Sequence, residues 1–530
     1  MKSVTFQALT SCVLFAMTMQ AHAQSEATNG KQGEERNVML NAADANKPRE
    51  IQIGLPSEDV NVYENGLPAV YSSSVHKLSA HWRNDASLGQ TGLLSPSESA
   101  ITTGNIAYAV TAFTDLGQNA FHGKLNYHVN HFGMQNFDLN FSGGIGKNWL
   151  YNAGTYQNFD PGSFKLQFTD YADRTQIYHA GLTRILNGGK GYVSVQYKHA
   201  NSKNPGNFAN AAPFVYVGDG SIKKVNGFDP GLDSYVPASG AFTYRDIMTG
   251  EKKTWNLNKG SENRSHEVAF LANYRWDNGL LWKFDAKYMY VPVANYVDFG
   301  GSTISNVTDA YEGLIEGRRT WLHFGKVTSG MFTTELNKLF GKHNVRLGLN
   351  EWYYHLNYHS SSLQWTGTVG AYPQVLYSMA TDPSDPTLTP TRTQFFGFNE
   401  LSPEYTKGSE NKLALYLTDN WKVNDKLNIY YGGRLEYYRM SADQIALSRF
   451  SGFHIGDFNT YSRDESGNIV ATAHSIHPAN VTKNKLNYAA TAQITYDVAK
   501  GFGIMADGTV ATRYPRISDY AGTGPTAEQY

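Results

Sequence analysis

Five side chains between Asn61 and Arg83 are of types that bind ligands. They are Tyr71, His76, His81, Trp82 and Arg83, in the stretch NVYENGLPAVYSSSVHKLSAHWR. Aromatic rings stack on flat or apolar ligand groups, and imidazole, hydroxyl and guanidinium groups add directional hydrogen bonds. We predict that these residues bind a substrate. In the alternative, Trp82 and Arg83 pack against the protein around them and hold this segment in place.

Residues suited to catalysis or metal binding form no recognisable pattern. His355 and His359 share one face of a predicted strand, but four residues of a strand span about 13 Å, too far to share a metal. The acidic turn Asp382–Pro386 could hold a calcium ion or could simply be a solvated turn. We therefore predict a protein that is not an enzyme, with no catalytic residue, no metal site and no cofactor.

The first 23 residues have the three parts of a secretory signal peptide. Lys2 supplies positive charge, an apolar run follows, and Ala21-His22-Ala23 forms a cleavage site of small residues. The run is too short to cross a bilayer, and lipidation of Cys12 is the weaker alternative. Cys12 is the only cysteine, so we expect no disulfide in the mature chain. We predict export through a Sec-type signal peptide, with a flexible segment at 24–36.

After residue 121, apolar and polar residues alternate along most of the sequence. In NFDLNFS, Phe137, Leu139 and Phe141 share one face, and WKFDAKYMY at 282–290 repeats the pattern. This period indicates strands with one apolar and one polar face. The net charge of −1 argues against a nucleic-acid partner. The fold class is all-β, either a large secreted β protein or an outer-membrane β-barrel, whose strands face lipid and lumen alternately.

Short turns alternate with long loops along the chain. The turns, such as Asn187–Gly191 and Trp276–Leu280, contain the Gly, Asn and Asp residues that tight hairpins need. Short turns at one end and long loops at the other are typical of outer-membrane barrels. The predicted long loops are 200–264, 291–329, 357–409 and 441–485.

The turns also give a strand count. Six short turns join twelve strands, and an earlier strand near Phe121–His131 makes thirteen, the last being about 502–512. An odd number of antiparallel strands does not close a bacterial barrel, because the first and last strands run the same way. We therefore expect an incomplete barrel and a native gene product longer than this chain.

The stretch LALYLTDNWKVNDKLNIYYGGRLEYY, Leu413–Tyr438, resembles a barrel hairpin of the TonB-dependent outer-membrane receptors. It has an Ala-x-Tyr-x-x-Asp strand, a short Asn-Asp-Lys turn and a Gly-x-Arg-x-x-Tyr return strand. Its aromatic residues Tyr416, Trp421, Tyr437 and Tyr438 suit the belts at the two membrane surfaces. Arg513-Tyr514-Pro515 resembles a family loop that is followed by several more hairpins. The resemblance thus implies a C-terminally truncated barrel of about 13 of about 22 strands.

Two upstream stretches resemble the plug, the globular domain inside the barrels of this family. Pro48–Val70 is similar to a plug hairpin, and Thr102–Gly123 is similar to the last plug strands and the crossing into the barrel. The opening NVMLNA is similar to that of Bacteroidetes-type receptors. The resemblance implies a short plug at 37–120, inside the lumen of a barrel at 121–530.

Transport is the function that this resemblance implies. A substrate would bind between extracellular loops and the plug apex, and the inner-membrane TonB–ExbB–ExbD complex would supply energy for its import. We expect TonB to contact Asn37, Val38, Met39 and Leu40; alternatively, these residues form the first plug strand. The ligand would be a small molecule such as a siderophore or cobalamin, a glycan or a peptide, and outer-membrane lipid would surround the barrel. A passive porin is the main alternative, and an outer-membrane barrel enzyme is a weaker one.

Overall fold

The computed structural model describes residues 61–512 and Ile517, except for gaps at 73–77, 163–169, 205–206, 210–213, 217–220, 225, 230–231, 234–240, 257–258, 301–304, 307–312, 395–403 and 446–453. The predicted signal peptide, the predicted TonB contacts Asn37–Leu40 and the predicted ligand residue His76 lie outside the described residues.

Residues 61–114 form a small unit of four strands and one helix, which we call the inner unit. Asn65 and Gly66 both have positive φ (55° and 84°), the geometry of a two-residue type I′ hairpin turn. The helix begins after Ser95, whose hydroxyl accepts a hydrogen bond from the Glu98 amide. In the described part of the chain, no helix has both the length and the apolar character needed to cross a membrane. The elements are β1 (Asn61–Glu64), β2 (Leu67–Pro68), β3 (Leu88–Leu94), α1 (Pro96–Thr102) and β4 (Ala109–Thr114), with the sheet order β2-β1-β4-β3.

Thirteen longer strands form one antiparallel sheet, which we call the wall. Each pairs with its neighbour in the chain order of the wall, which confirms the predicted strand count. Among the described residues, the first and last wall strands do not pair with each other. The wall strands are β5 (His122–Val129), β6 (Gln135–Gly144), β7 (Trp149–Asp160), β8 (Asp173–Leu186), β9 (Gly191–Asn204), β15 (Ser261–Arg275), β16 (Leu281–Gly300), β18 (Leu314–Phe340), β19 (His343–Val369), β22 (Tyr405–Lys422), β23 (Leu427–Ile445), β26 (Ala479–Ala499) and β27 (Phe502–Ala511).

Ten further short strands of the described residues lie in the loops at the long-loop end. β10 (Asn207–Ala209) pairs with β16, and β17 (Ser305–Asn306) pairs with β18. The others form hairpins: β11 (Phe214–Tyr216) with β12 (Ile222–Lys224), β13 (Ala241–Arg245) with β14 (Lys252–Asn256), β20 (Tyr377–Thr381) with β21 (Pro390–Gln394), and β24 (Gly456–Arg463) with β25 (Ile469–Ile476).

The wall is apolar outside and polar inside, the reverse of a soluble β-sandwich. Phe137, Leu139 and Phe141 of β6 are exposed on the outer face, whereas Asp138 and Asn140 between them are buried. β16 has the same arrangement, as the alternation of its sequence predicts. A sheet with an outward apolar band and a polar interior suits strands that cross a membrane. The alternative of a secreted β protein with an apolar core is therefore wrong.

The wall curves around the inner unit. Hydrogen bonds or ion pairs join the inner unit to wall strands along almost the whole width of the sheet. Nine of these strands are β6, β8, β9, β15, β16, β19, β22, β23 and β27. All of these contacts are made by the polar face of the wall. The inner unit therefore lies in the lumen that the wall surrounds.

Two sequence-based expectations are wrong in detail. The predicted loops at 291–329 and 357–409 are partly strand. β16 continues to Gly300 and β18 begins at Leu314, while β19 continues to Val369 and β22 begins at Tyr405. Beyond the lipid band the outer face of a strand no longer needs apolar residues, so the alternation that marks a membrane strand disappears. Tyr416 and Tyr438 are buried on the inner face rather than placed in an aromatic belt. Tyr437 is exposed on the outer face, and neighbouring strand residues point to opposite faces.

Three loop hairpins, β13–β14, β20–β21 and β24–β25, bind one another at the long-loop end, and we call them the outer collar. Arg245 forms an ion pair with Asp382 (2.9 Å), and the Ile455 amide donates to the Ile247 carbonyl (2.8 Å). Phe242 of β13 stacks on Trp365 of β19 at 5.9 Å. Side chains of a strand alternate between its two faces, and Trp365 lies an even number of residues from Tyr353, which is exposed on the outer face of β19. The collar therefore packs on the outside of the wall.

Candidate functional site

A buried cluster of charges joins the inner unit to the wall. Glu64 of β1 forms an ion pair with Lys198 of β9, and Lys198 lies 3.7 Å from Glu267 of β15. Lys287 of β16 bonds Glu267 (3.2 Å) and the Ala69 carbonyl (3.1 Å) of the inner unit. Two carboxylates and two ammonium groups thus balance one another. Buried charges require such partners, so removing one member leaves a desolvated charge.

His81 completes this cluster from the inner unit. Its Nε2 lies 2.9 Å from Glu267 and its Nδ1 lies 2.6 Å from the Ser265 hydroxyl, and the residue is fully buried. Burial lowers the pKa of His81 below its ordinary value of 6.5, against the opposing effect of Glu267. A neutral imidazole then donates from Nε2 to the carboxylate and accepts at Nδ1 from Ser265.

Arg83 and Trp82 anchor the same part of the inner unit. The Arg83 guanidinium donates to Asp173 and to Thr175 on β8, both at 3.1 Å. Both partners of the ion pair are almost fully buried. Trp82 packs in the core of the inner unit with Val62 and Val110. Arg83 thus contacts the polar face of the wall, as the alternative stated for it expects, whereas Trp82 lies in the core of the inner unit.

The helix α1 contacts the opposite side of the wall. Arg434 of β23 donates to the carbonyls of Ile101 and Thr102 at 3.3 Å, and Asn350 of β19 donates to Thr102 at 3.0 Å. These carbonyls end the helix and lack partners within it. A cation at this position also matches the negative end of the helix dipole. At the start of α1, Ser97 donates to Asp507 of β27 (2.7 Å).

Tyr71 joins the inner unit to β22. Its hydroxyl donates to Glu410 of β22 at 2.7 Å, and Tyr354 and Tyr438 donate to the same carboxylate at 3.1 and 3.2 Å. The Tyr71 ring meets Trp352 edge-on at 5.8 Å. Burial and the nearby Glu410 raise the pKa of Tyr71 well above its ordinary value, so the phenol stays protonated and acts as a donor.

Above Tyr71 the inner face of the wall changes from charged to apolar. On β16 the inward residues are Lys283, Asp285 and Lys287 at the level of the inner unit, followed by Met289, Val291 and Val293 towards the long loops. β23 shows the same change, from Arg434 and Glu436 to Tyr438 and Met440. We call this apolar region of the lumen the upper chamber; its buried residues are Met289, Val291, Val293, Val327, Tyr354, Leu356, Tyr358, Tyr438, Met440, Ala442 and Ile517.

The predicted ligand residues thus have different positions. Tyr71 lies at the boundary of the upper chamber, while His81, Trp82 and Arg83 are buried in contacts that hold the inner unit. Sequence reasoning missed their partners Lys198, Glu267 and Asp173, together with Glu410. A signal for them existed, because a charged residue at an inward position of a membrane strand needs a partner inside the lumen.

In the acidic turn Asp382–Pro386, considered above for calcium, the Asp382 carboxylate is bound by basic side chains of the protein itself. Asp382 bonds Arg245 and Lys252 at 2.9 and 2.6 Å, and its pKa is lowered, since these bonds outweigh its burial. Within the described ranges, no group of three or more His, Cys, Asp or Glu side chains is placed to hold a metal ion.

Part of the wall resembles a known protein family in sequence. Residues 222–469 match the family model described as TonB dependent receptor-like, beta-barrel. None of the curated proteins matches the chain in sequence.

Several solved structures resemble the fold. The siderophore receptor PiuA from Acinetobacter baumannii has a TM-score of 0.50 and 12% identity, over 88% of this chain and 58% of PiuA. The ferric-catecholate import receptor Fiu from E. coli K12 has a TM-score of 0.49 and 11% identity, over 86% of this chain and 63% of Fiu. The ferric yersiniabactin uptake receptor FyuA from Yersinia pestis has a TM-score of 0.46 and 10% identity, over 85% of this chain and 55% of FyuA. The chain thus spans 55% to 63% of the length of these structures.

Proposed function

We propose that the protein is an outer-membrane receptor of the TonB-dependent type, which imports a substrate with energy supplied through TonB. The match of residues 222–469 to the β-barrel model of that family supports this proposal. The substrate enters from the long-loop end, which is the extracellular end, and binds above the inner unit. The reaction is transport, with no catalytic step.

The observation that carries this proposal is the filled lumen. A passive porin keeps a water-filled channel, whereas here the inner unit contacts the polar face of the wall on many strands. Buried ion pairs such as Arg83–Asp173 and Glu64–Lys198 hold it there. Breaking several buried ion pairs costs free energy that diffusion of a substrate does not supply. An external energy source therefore suits this arrangement.

The parts of the receptor are assigned as follows. The inner unit is the core of a plug domain at 37–120, and residues 121–530 form the barrel, after a signal peptide at 1–23 and a flexible segment at 24–36. Tyr71 and His76 face the substrate, and His81, Trp82 and Arg83 position the plug. Asn37, Val38, Met39 and Leu40 contact TonB, since an extended apolar segment can bind by strand addition. The TonB–ExbB–ExbD complex is the energy-supplying partner.

Uptake by intact cells tests the proposal. Cells expressing the protein are given labelled ferric siderophore, cobalamin, oligosaccharide and peptide, and the accumulated ligand is followed with and without a proton-gradient uncoupler. We expect uptake of one ligand class to stop when the gradient is dissipated. Deletion of residues 37–42 should have the same effect, whereas deletion of residues 30–35 serves as a control for chain length. Uptake that neither treatment changes would overturn the proposal in favour of a passive porin.

A further inference from the structure

At the end of the wall opposite to the long loops, each of the six turns has an exposed basic side chain in it or next to it. These residues are Lys147, Lys190, Arg275, Lys342, Lys422, Lys426 and Lys500. The described segments that contain them, which we call the basic rim, are 144–149, 187–191, 275–280, 341–344, 422–427 and 497–503. The basic rim contains three carboxylates, whereas the whole chain has 45 basic and 46 acidic residues. Positive charge is therefore concentrated at one end of the wall.

Two of the three carboxylates are bound within the basic rim. Asp277 lies 2.5 Å from Lys190, and Asp425 lies 2.9 Å from Lys422. The third carboxylate is that of Asp497. The other cations of the basic rim form no ion pair with a described residue, so they are available to an anionic partner.

Two of these available cations line one cleft. The cleft lies between the β22–β23 turn and the β26–β27 turn, and its volume of about 390 Å³ is typical of ligand sites. Lys426 lines it from the first turn, and Asp497, Lys500 and Phe502 line it from the second. The Asp497 amide donates to the Lys426 carbonyl at 2.8 Å, and this bond holds the two turns side by side. The cleft thus has two ammonium groups, one carboxylate and an aromatic ring.

The aromatic side of the cleft continues into the apolar outer face of the wall. Phe502 is 62% exposed, and Ile504, two residues further along β27, lies on the same face and is also exposed. Aromatic residues mark the level at which a membrane strand leaves the hydrocarbon. Lysine side chains beyond that level extend to the phosphate groups of the lipid. The cleft therefore combines a cationic end with an apolar end that faces acyl chains.

From this arrangement we propose that the cleft binds an anionic phospholipid such as phosphatidylglycerol. Lys426 and Lys500 bind its phosphate, and its acyl chains lie along Phe502 and Ile504. Cationic side chains at a membrane surface attract anionic lipids, whereas a zwitterionic headgroup brings a cation that the two lysines repel. The proposal goes beyond the receptor function and requires only that the wall crosses a membrane.

Native mass spectrometry of the purified protein in a neutral detergent tests the proposal, because it resolves each bound lipid. The probes are dioleoyl-phosphatidylglycerol and dioleoyl-phosphatidylcholine, which have the same acyl chains. We expect the first phosphatidylglycerol to bind at least about tenfold more tightly than the first phosphatidylcholine. The double variant Lys426→Gln/Lys500→Gln should weaken phosphatidylglycerol binding at least about tenfold.

The matched control is Lys147→Gln/Arg275→Gln, which removes two exposed cations of the basic rim from other turns. These turns lie at least three strand spacings, or about 14 Å, from the cleft, which exceeds the screening length of about 8 Å at physiological salt. The control should therefore change the affinity less than about twofold. Equal losses in the two double variants, or no preference for phosphatidylglycerol, would overturn the proposal.

Asp497→Asn gives a change of the opposite sign. It removes the carboxylate of the cleft, so phosphatidylglycerol should bind severalfold more tightly, and a folding defect does not produce such a gain. Unchanged or weaker binding by this variant would contradict the placement of the headgroup beside Asp497.

Two further probes separate a lipid from other anions. Glycerol phosphate has the phosphate without acyl chains, and a hexaglutamate peptide has negative charge without either. Both should bind at least about tenfold more weakly than phosphatidylglycerol, because neither buries acyl chains. If either binds as tightly as the lipid, the cleft is a site for free phosphate or for an acidic peptide and the proposal is wrong. Whole-cell uptake tests the receptor function independently of this result.

Discussion

Arg83 forms an ion pair with Asp173, and both side chains are almost fully buried. Replacing Arg83 by Met should destabilise the inner unit by about 3–5 kcal/mol, because Asp173 is left as an unpaired buried charge. Hydrogen exchange of the β1–β4 amides measures the effect. The double variant Arg83→Met/Asp173→Leu should recover much of the loss, since it removes both charges.

The matched control is the exposed pair Arg264–Glu262 on the outside of β15. Arg264→Met should change stability by less than about 1 kcal/mol, because water screens exposed ion pairs. Equal effects of Arg83→Met and Arg264→Met would mean that burial of the Arg83 pair does not matter, contrary to the anchoring role assigned to it.

His81 should make the stability of the inner unit depend on pH. Its pKa in the folded protein lies below the ordinary 6.5, as burial disfavours the imidazolium next to Lys198 and Lys287. Below pH 6.5 the unfolded chain therefore binds a proton that the folded chain does not, and stability falls on acidification. We expect faster β1–β4 amide exchange, corrected for intrinsic rates, at pH 5.5 than at pH 7.5.

Substitution of histidines tests this assignment. His81→Gln should remove most of the pH dependence, because Gln does not titrate in this range. The control His477→Gln changes an exposed histidine near Asp457, and the pH dependence of stability should persist in this variant. If the pH dependence is undiminished in His81→Gln, other titrating groups cause it and the assignment to His81 is wrong.

At the scale of elements, the outer collar depends on one carboxylate. Asp382 lies between β20 and β21 and binds Arg245 of β13 and Lys252 of β14. Asp382→Asn leaves both cations without their counter-charge, so the three hairpins should separate more readily. We expect amide exchange in β13 and β14 to become at least about tenfold faster. The control is Asp464→Asn in the exposed turn of β24–β25, which should change the amide exchange of β13 and β14 little.

At the scale of the whole molecule, the inner unit should block the lumen. The intact protein in a planar bilayer should conduct poorly, because the inner unit fills the polar interior of the wall. Deletion of residues 61–114 should raise single-channel conductance severalfold, as water and ions then occupy that interior. Deletion of the hairpin at 456–476 on the outer collar should leave the conductance low. High conductance of the intact protein would favour the porin alternative.

The sequence by itself determined the fold class, the number of wall strands and the alternation of their faces. These depend on local rules: side chains of a strand alternate with period two, and Asn-Gly at Asn65–Gly66 favours a type I′ turn. Each rule can be read within a few residues. The resemblance of Leu413–Tyr438 to a receptor hairpin supplied the family for the same reason, since it lies within one continuous stretch.

Only the tertiary structure decided which side chains meet inside the lumen. Arg83 and Asp173 are 90 residues apart in sequence, and Tyr71 and Glu410 are 339 apart. Both pairs form because the wall curves around the inner unit. Spacing along the chain carries no information about such contacts. The contact of the Ile517 amide with Glu410 is of the same kind, because a lone isoleucine beyond the last strand gives no sign of it in the sequence.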